Sequence, residues 1–409
     1  MKNFNERINI IRVISKDDNS SVYLVKDCYD NKIKIMKVLM NKKLSDSFQK
    51  EFYILSQLHH PNIIFVEDFG YIEGNKPYFI MEFIKGKNIV DFFKQNSYKK
   101  LKDILAQLLL ALEFIHSHNL VYSDIKPQNI LVKQEDKKIA VKLLDFGLIS
   151  KKKDFTNKVS GGTLAYIAPE IIQKKIATSQ SDLYSIGIVL YEILYGYNPF
   201  IDNDPNNIIQ NQLNKIPKFD KLPEQSLNKY VAICQKLLQK NPKQRYNSAM
   251  EVVKALNKSP IYLFTETQRH RNLSLYYLKG DYLNFQWNEQ LIENIKHNIK
   301  NNDSSINLIK GNDGTGKSTL LNALKTILQL NHYFTINYKY VQSYDDISNL
   351  LNISKLLVFS LNIPYEKFEQ LKNNLNKTEQ NDEKVYQIFS FYKNVLNKRT
   401  RVQEFKRTR

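Results

Sequence analysis

The sequence predicts an α+β chain in two lobes, a small antiparallel sheet lobe and then a helical lobe, with a partial α/β unit after them. Three observations carry this. Residues 8 to 85 alternate apolar and polar in short runs such as "SSVYLVKD" and "KIKIMKVLM", the two-residue period of a sheet. Residues 88 to 257 change to a helical period in "LKDILAQLLLALEFIHSH" and "SDLYSIGIVLYEILYG", which marks buried or amphipathic helices. Further on, "INLIK", "GNDGTGKS" and "TLLNALKTILQL" read as a strand, a loop and a helix in succession.

Taken in order, the sheet lobe (residues 1–85) carries a single helix at "SDSFQKEFYILSQL", and the helical lobe occupies 88–257. After Pro260 the text "IYLFTETQRHRNLSLYYLKGDYLNFQW" is polar and aromatic without a period, so residues 258–285 are expected to form a connector. The helix "NEQLIENIKHNIKNN" then opens the last unit, residues 286–409. A chain of 409 residues exceeds one hydrophobic core, which agrees with two or three domains. No internal repeat is evident.

Composition excludes several classes. Hydrophobic residues at 42% and charged residues at 25% are ordinary for a globular protein. Cys28 and Cys234 lie far apart with no His or Cys at metal spacing, which argues against a disulfide framework or a zinc site. The N-terminal "MKNFNERINI" lacks a signal-peptide core, and no apolar run is long enough for a bilayer. A cytoplasmic protein without a transmembrane segment is the expectation. The net charge of +19 admits nucleic acid or an anionic membrane as partners, but lysine is scattered along the chain rather than gathered into a patch. No nucleic-acid partner is expected.

Two segments carry chemistry. Phosphoryl transfer needs metal-held phosphates, a cation on the transferring end and a carboxylate that positions the attacking hydroxyl. "SDIKPQN" offers Asp124 as the carboxylate, Lys126 as the cation and Asn129 as an oxygen ligand for Mg²⁺. "LLDFGL" offers Asp145 as a second metal ligand at the end of an apolar strand.

With these segments in this order, residues 8 to 257 resemble the eukaryotic-type protein kinase family. The resemblance implies an α+β bilobal protein kinase fold with ATP and Mg²⁺ as cofactors. It implies that Lys37 of "KIMKVL" holds the α- and β-phosphates and that Glu51 of "FQKEFYIL" pairs with it. It places adenine near Val22, Met81, Ile84 and Leu131, with Met81 as gatekeeper and the backbone of Glu82 and Ile84 meeting the base. "HHPNII", "GGTLAYIAPE" and Asp182 fall in family order, and Arg245 is the expected ion-pair partner of Glu170. Lys126 and Thr163 match the serine/threonine pattern, with Thr163 meeting Asp124 and Lys126 near the acceptor hydroxyl of a protein substrate.

The chain departs from the family at three places. Tyr122-Ser123 stands where His-Arg is usual: Tyr122 can stack on Phe146, whereas Ser123 carries no cation to pair with a phosphorylated segment. Activity is therefore expected not to require phosphate on Ser150 to Gly162. Ser15, Asp17 and Ser20 replace the three glycines of the phosphate-covering loop. Either the loop is stiffer and its acids repel ATP, or the hairpin turns Asp17 and Asp18 to solvent while Ser20 and Ser21 leave room. Ile35 narrows the adenine pocket. All groups that perform chemistry are retained, so an active serine/threonine kinase is expected, the alternative being a kinase-like scaffold that binds nucleotide at a second site.

That second site is "GNDGTGKST", with Gly311, Gly316, Lys317 and Ser318 at the positions of a phosphate loop. Its N–H groups would cradle a β-phosphate, Lys317 would reach the β- and γ-phosphates, and Ser318 would bind Mg²⁺. The unit resembles P-loop NTPases, particularly AAA or STAND-like modules, and would act as a nucleotide-dependent regulator or oligomerisation unit. Those modules carry a second, acid-ended apolar strand. "KLLVFSLN" is apolar but ends in Ser and Asn, and "FTINYKYVQSYDD" reaches its acids late. The reading is a partial α/β P-loop NTPase domain, either cut within the fold or complete and binding nucleotide without hydrolysis.

Overall fold

Alternation in the first lobe resolves into five strands, β1 (Ile8–Lys16), β2 (Ser20–Asp27), β3 (Lys32–Leu39), β4 (Val66–Ile72) and β5 (Lys76–Glu82). They pair antiparallel in the order β1-β2-β3-β5-β4. The computed structural model describes residues 7–72, 75–135, 138–151, 164–174 and 176–256, then 297, 325–326, 329–330, 346–360, 365–378, 380–381 and 383–392. These fall into two units: 7–49, 66–83 and the described residues after 308 in the first, and 50–65 and 84–297 in the second.

Register separates the two faces of the sheet. Val22, Lys37 and Phe79 stand directly opposite one another, as do Leu24, Ile35 and Met81, so these six share one face. The single helix of this lobe, α1 (Ser45–Gln57), meets that face through Phe48, whose ring lies 4.9 Å from that of Phe79. The other face holds a second buried cluster of Ile8, Val25, Met36, Val38, Tyr78 and Ile80. Turns follow from local chemistry: Asn31 and Asn75 take left-handed backbone at φ 58° and 57°, a conformation asparagine tolerates better than most residues.

The second unit runs through β6 (Lys87–Asn88), α2 (Ile89–Gln95), α3 (Leu101–Ser117), β7 (Leu120–Val121), β8 (Ile130–Glu135), β9 (Lys138–Leu143) and β10 (Ser150–Lys151). Helices α4 (Pro169–Lys174), α5 (Ser179–Tyr195), α6 (Pro205–Asn214), α7 (Asn228–Leu237) and α8 (Ala249–Ala255) follow. The two helices read from periodicity in this lobe are α3 and α5. Helix α5 begins at a Thr178/Ser181 capping box and ends at Gly196, φ 82°, where a side chain would be strained. It is buried nearly all round, and a Cβ at Gly187 would lie 2.8 Å from Leu237 Cβ, so glycine lets α7 pack close.

Glu170 and Arg245 form the expected pair. Arg245 Nη1 and Nη2 donate to Glu170 Oε1 and Oε2 at 2.7 and 2.8 Å. Ser181 Oγ donates to the same carboxylate at 2.8 Å, and Arg245 also donates to the carbonyls of Gln239, Gln180 and Lys240.

A pH dependence arises at "HHPNII". His60 Nδ1 accepts the Asn62 N–H at 3.1 Å, so that nitrogen carries no proton. Its ring packs 5.2 Å from Phe114. Burial, with the nearby Lys142 cation, pulls His60 down from 6.5 to about 3. The unfolded chain therefore binds this proton first as pH falls. Stability from His60 is full above 6.5 and is lost between 6.5 and 3, at no more than about 1.4 kcal/mol per pH unit. Denaturant unfolding of His60→Leu at pH 7 and pH 5 should show a smaller loss than wild type; an equal loss would contradict the assignment.

After the second unit most of the described residues are helical. The stretch weighed as an apolar strand, "KLLVFS", is instead the end of α9 (Asp346–Ser360). Ile347, Leu350 and Leu351 recur at helical spacing and pack on Leu371 and Leu375 of α10 (Glu366–Lys377) and on Ile388. The connector 258–285 and Gly311, Gly316, Lys317 and Ser318 lie outside the described residues. Among the described residues no helix is long and apolar enough to cross a membrane.

Candidate active site

The loop that follows β7 is fixed from below by Asp182, in the first turn of α5. Asp182 is 1% exposed; its Oδ2 and Oδ1 accept the N–H groups of Tyr122 and Ser123, both at 2.9 Å. His116 of α3 places Nε2 2.8 Å from Asp182 Oδ2. This grip holds Ser123 at φ 68°, a conformation costly for a non-glycine residue. Two bonds to a buried carboxylate offset that strain. The order of the family's motifs marked Asp182, but nothing in the sequence singled out His116.

Asp124 then projects into a small polar cluster. Lys126 Nζ donates to Asp124 Oδ1 and Oδ2 at 3.0 and 2.8 Å. Asn129 Nδ2 donates to the Asp124 carbonyl at 2.9 Å and to Oδ2 at 2.8 Å. With the amide nitrogen so committed, Asn129 has Oδ1 as the atom it could offer a cation. Burial pushes the Asp124 carboxyl above its ordinary value against the pull of Lys126, and the Asp145 charge adds to the rise.

Asp145 is brought near by the backbone, since the Leu144 N–H donates to the Asn129 carbonyl at 2.8 Å. Asp145 is exposed and left-handed at φ 49°, and its Oδ1 accepts the Gly147 N–H at 3.2 Å. Phe146 points the other way and is fully buried. Its ring meets that of Tyr122 edge-on, 5.1 Å between centroids at 80°, and the Tyr122 hydroxyl donates to the Leu144 carbonyl. The Tyr122–Phe146 contact read from the sequence is thus present, edge-to-face rather than stacked. Glu51 is buried beside this segment, its Oε2 3.6 Å from where a Cβ on Gly147 would stand.

Asn129 and Asp145 offer only hard oxygens, an amide and a carboxylate. Mg²⁺ is commonly held by one or two carboxylates with substrate phosphates completing the shell. The donor set fits that ion. Leu131 sits half-buried on β8, and Ile84 is half-buried in the extended segment after β5. Thr163 lies outside the described residues.

On the sheet lobe, Lys37 shares its face with Val22 and Met81, and its ammonium lies 5.7 Å from the Phe79 ring centroid. Glu82 ends β5 opposite Lys34. The altered loop closes as a tight hairpin: the Asp17 N–H donates to the Ser20 carbonyl at 2.9 Å. Asp17 Oδ1 accepts the N–H groups of Asn19 and Ser20 at 2.8 and 2.7 Å. No residue of this turn has positive φ. Asp17 and Asp18 face solvent, as the second of the two sequence alternatives required.

Residues 9–257, well over half of the chain, match the protein kinase domain family, and the chain belongs to it. It is 33% identical over 211 residues to a probable serine/threonine-protein kinase PknB of Lactococcus lactis, covering 49% of this chain and 33% of that protein. It is 30% identical over 273 residues to the serine/threonine-protein kinase PknB of Mycolicibacterium smegmatis, covering 61% and 42%. To the cAMP-dependent protein kinase catalytic subunit of Dictyostelium discoideum it is 34% identical over 202 residues, covering 47% and 30%. The match spans less than half the length of each of these relatives.

Proposed function

We propose that the chain is a serine/threonine protein kinase that transfers the γ-phosphate of Mg-ATP to hydroxyls of a protein substrate. The observation that carries this is the buried Asp124 held by Lys126 and Asn129 at hydrogen-bond distance. Asp124 accepts or orients the proton of the attacking Ser or Thr hydroxyl. Lys126 balances the carboxylate and faces the charge of the phosphoryl group in transit. Asn129 Oδ1 and the Asp145 carboxylate would hold Mg²⁺, which when bound supplies neutralising charge at the phosphates. Lys37 supplies the cation for the α- and β-phosphates, and Thr163 completes the acceptor side. Phosphoamino-acid analysis of a generic protein substrate after incubation with labelled Mg-ATP tests this. Phosphoserine and phosphothreonine are expected; phosphotyrosine alone, or no label, would overturn it.

Downstream, Gly311, Gly316, Lys317 and Ser318 are proposed as a nucleotide-dependent regulatory or oligomerisation site. The sequence motif alone supports this part.

One observation favours a second reading, a scaffold with weak nucleotide binding. The N–H groups at the tip of the β1–β2 hairpin, which a glycine loop would present to phosphate, are held by the Asp17 carboxylate. In Asp17→Gly those donors are released and a negative charge is removed. KM for Mg-ATP is expected to fall by about threefold to tenfold, the worth of one or two hydrogen bonds, with kcat within about twofold. An unchanged KM would show that the loop does not limit ATP affinity.

A further inference from the structure

The outer face of the sheet is buried more completely than the helix α1 can explain. Register places Ser21, Val25, Met36, Val38, Tyr78 and Ile80 on the side of the sheet away from Lys37 and Phe79. Val25, Met36 and Ile80 are 0% exposed. Helix α1 meets the Phe79 side, so the second face requires its own cover.

The described residues of the same unit show what reaches it. Lys325 Nζ lies 3.2 Å from Asp68 Oδ1 and donates to the Glu67 carbonyl at 3.1 Å. Gln329 Nε2 donates to Asp68 Oδ1 at 2.6 Å, and both Thr326 and Gln329 are buried. Lys355 of α9 donates to the Tyr29 carbonyl at 3.2 Å and stands 5.7 Å from the Tyr29 ring centroid. Charge favours this contact. Arg7 and Lys34 are two cations among four carboxylates, Asp27, Asp30, Glu67 and Asp68, at 2.5 to 3.0 Å. Lys325 adds a third cation to an acid-rich, partly desolvated cluster, where an unbalanced carboxylate is expensive.

We propose that the outer face of the sheet lobe is a docking surface for the same chain, covered by the helical residues around Lys325 and Gln329 together with α9. The sheet lobe and this downstream region then fold as one cooperative unit, although the family match ends at residue 257. Met36 and Val38 flank Lys37 on β3, so the order of that strand depends on the docked residues. This inference does not depend on phosphotransfer.

The test uses the full chain at submicromolar concentration, treated with a zero-length carbodiimide and mapped by mass spectrometry, with unlabelled and ¹⁵N-labelled chains mixed. A link from Lys325 to Asp68 or Glu67 within one chain is expected, with the Lys34–Glu67 link as internal control. The control link without the Lys325 link overturns the proposal. A Lys325 link joining labelled to unlabelled chain also overturns it and assigns the face to a second copy. Hydrogen exchange of the full-length Lys325→Glu/Gln329→Glu variant gives a second readout. Amides of β3 and β5 should exchange at least tenfold faster while α3 and α5 are unchanged. Unchanged β3 and β5 would overturn the proposal, and general unfolding of the variant leaves the wild-type cross-link to decide.

Discussion

Asp124→Asn is expected to lower kcat for transfer to a protein hydroxyl by 10²- to 10⁴-fold, the usual worth of a positioned general base. Asparagine keeps the shape and can still accept from Asn129, but it cannot take up a proton at neutral pH. It also removes the counter-charge of Lys126, which bonds both carboxylate oxygens. KM for Mg-ATP should move far less, because neither proposed metal ligand, Asn129 nor Asp145, is altered. Steady-state kinetics on protein whose melting curve matches wild type would check this. A parallel rise in KM with kcat preserved would mean that Asp124 serves nucleotide binding rather than the hydroxyl.

Arg245→Ala should produce the largest loss of stability, roughly 3–5 kcal/mol, as expected when one partner of a buried ion pair is removed. Glu170 would be left in a site where, among the described residues, only Ser181 remains as a donor. The carbonyls of Gln239, Gln180 and Lys240 would lose their donor as well. For a domain of this size the shift in melting temperature is on the order of 10 °C. Arg245→Lys should recover little, since one ammonium cannot reproduce the bidentate fork. Replacing both partners, as in Glu170→Leu/Arg245→Met, should recover much of the loss. A melting temperature for Arg245→Ala within two degrees of wild type would contradict this account of the pair.

Much of the helical lobe was legible because α3 and α5 repeat their apolar residues at helical spacing with few interruptions. The Glu170–Arg245 pair and the Tyr122–Phe146 contact were legible through the order of motifs. Other features were not. Asp17 stood out as a charge that could repel phosphate, but its role as acceptor for two N–H groups depends on the closed turn, which alternation alone does not specify. Ser123 read as a lost cation, whereas its left-handed backbone and the buried Oγ, without a hydrogen-bond partner among the described residues, emerge only once Asp182 is in place. The cover of the outer sheet face lay further beyond reach. Its apolar residues occupy strands that read as half-buried, and Lys325 stands 258 residues after the Glu67 carbonyl it meets.

"KLLVFS" shows a limit of composition. A short apolar run fits a strand or a helix equally well, and the Ile347, Leu350 and Leu351 spacing just before it settles the matter in favour of α9. Among the described residues this stretch offers no strand to the phosphate-loop motif, and the assignment of catalysis rests on the kinase site.

The most direct test of that assignment is the initial rate of labelled γ-phosphate transfer from Mg-ATP to a serine/threonine protein substrate, measured for wild type, Lys37→Met and Lys317→Ala. The account predicts transfer by wild type, its loss in Lys37→Met, and a rate within a few-fold of wild type in Lys317→Ala. No transfer by well-folded wild type, with ATP binding abolished only by Lys317→Ala, would contradict it and make the kinase domain a scaffold.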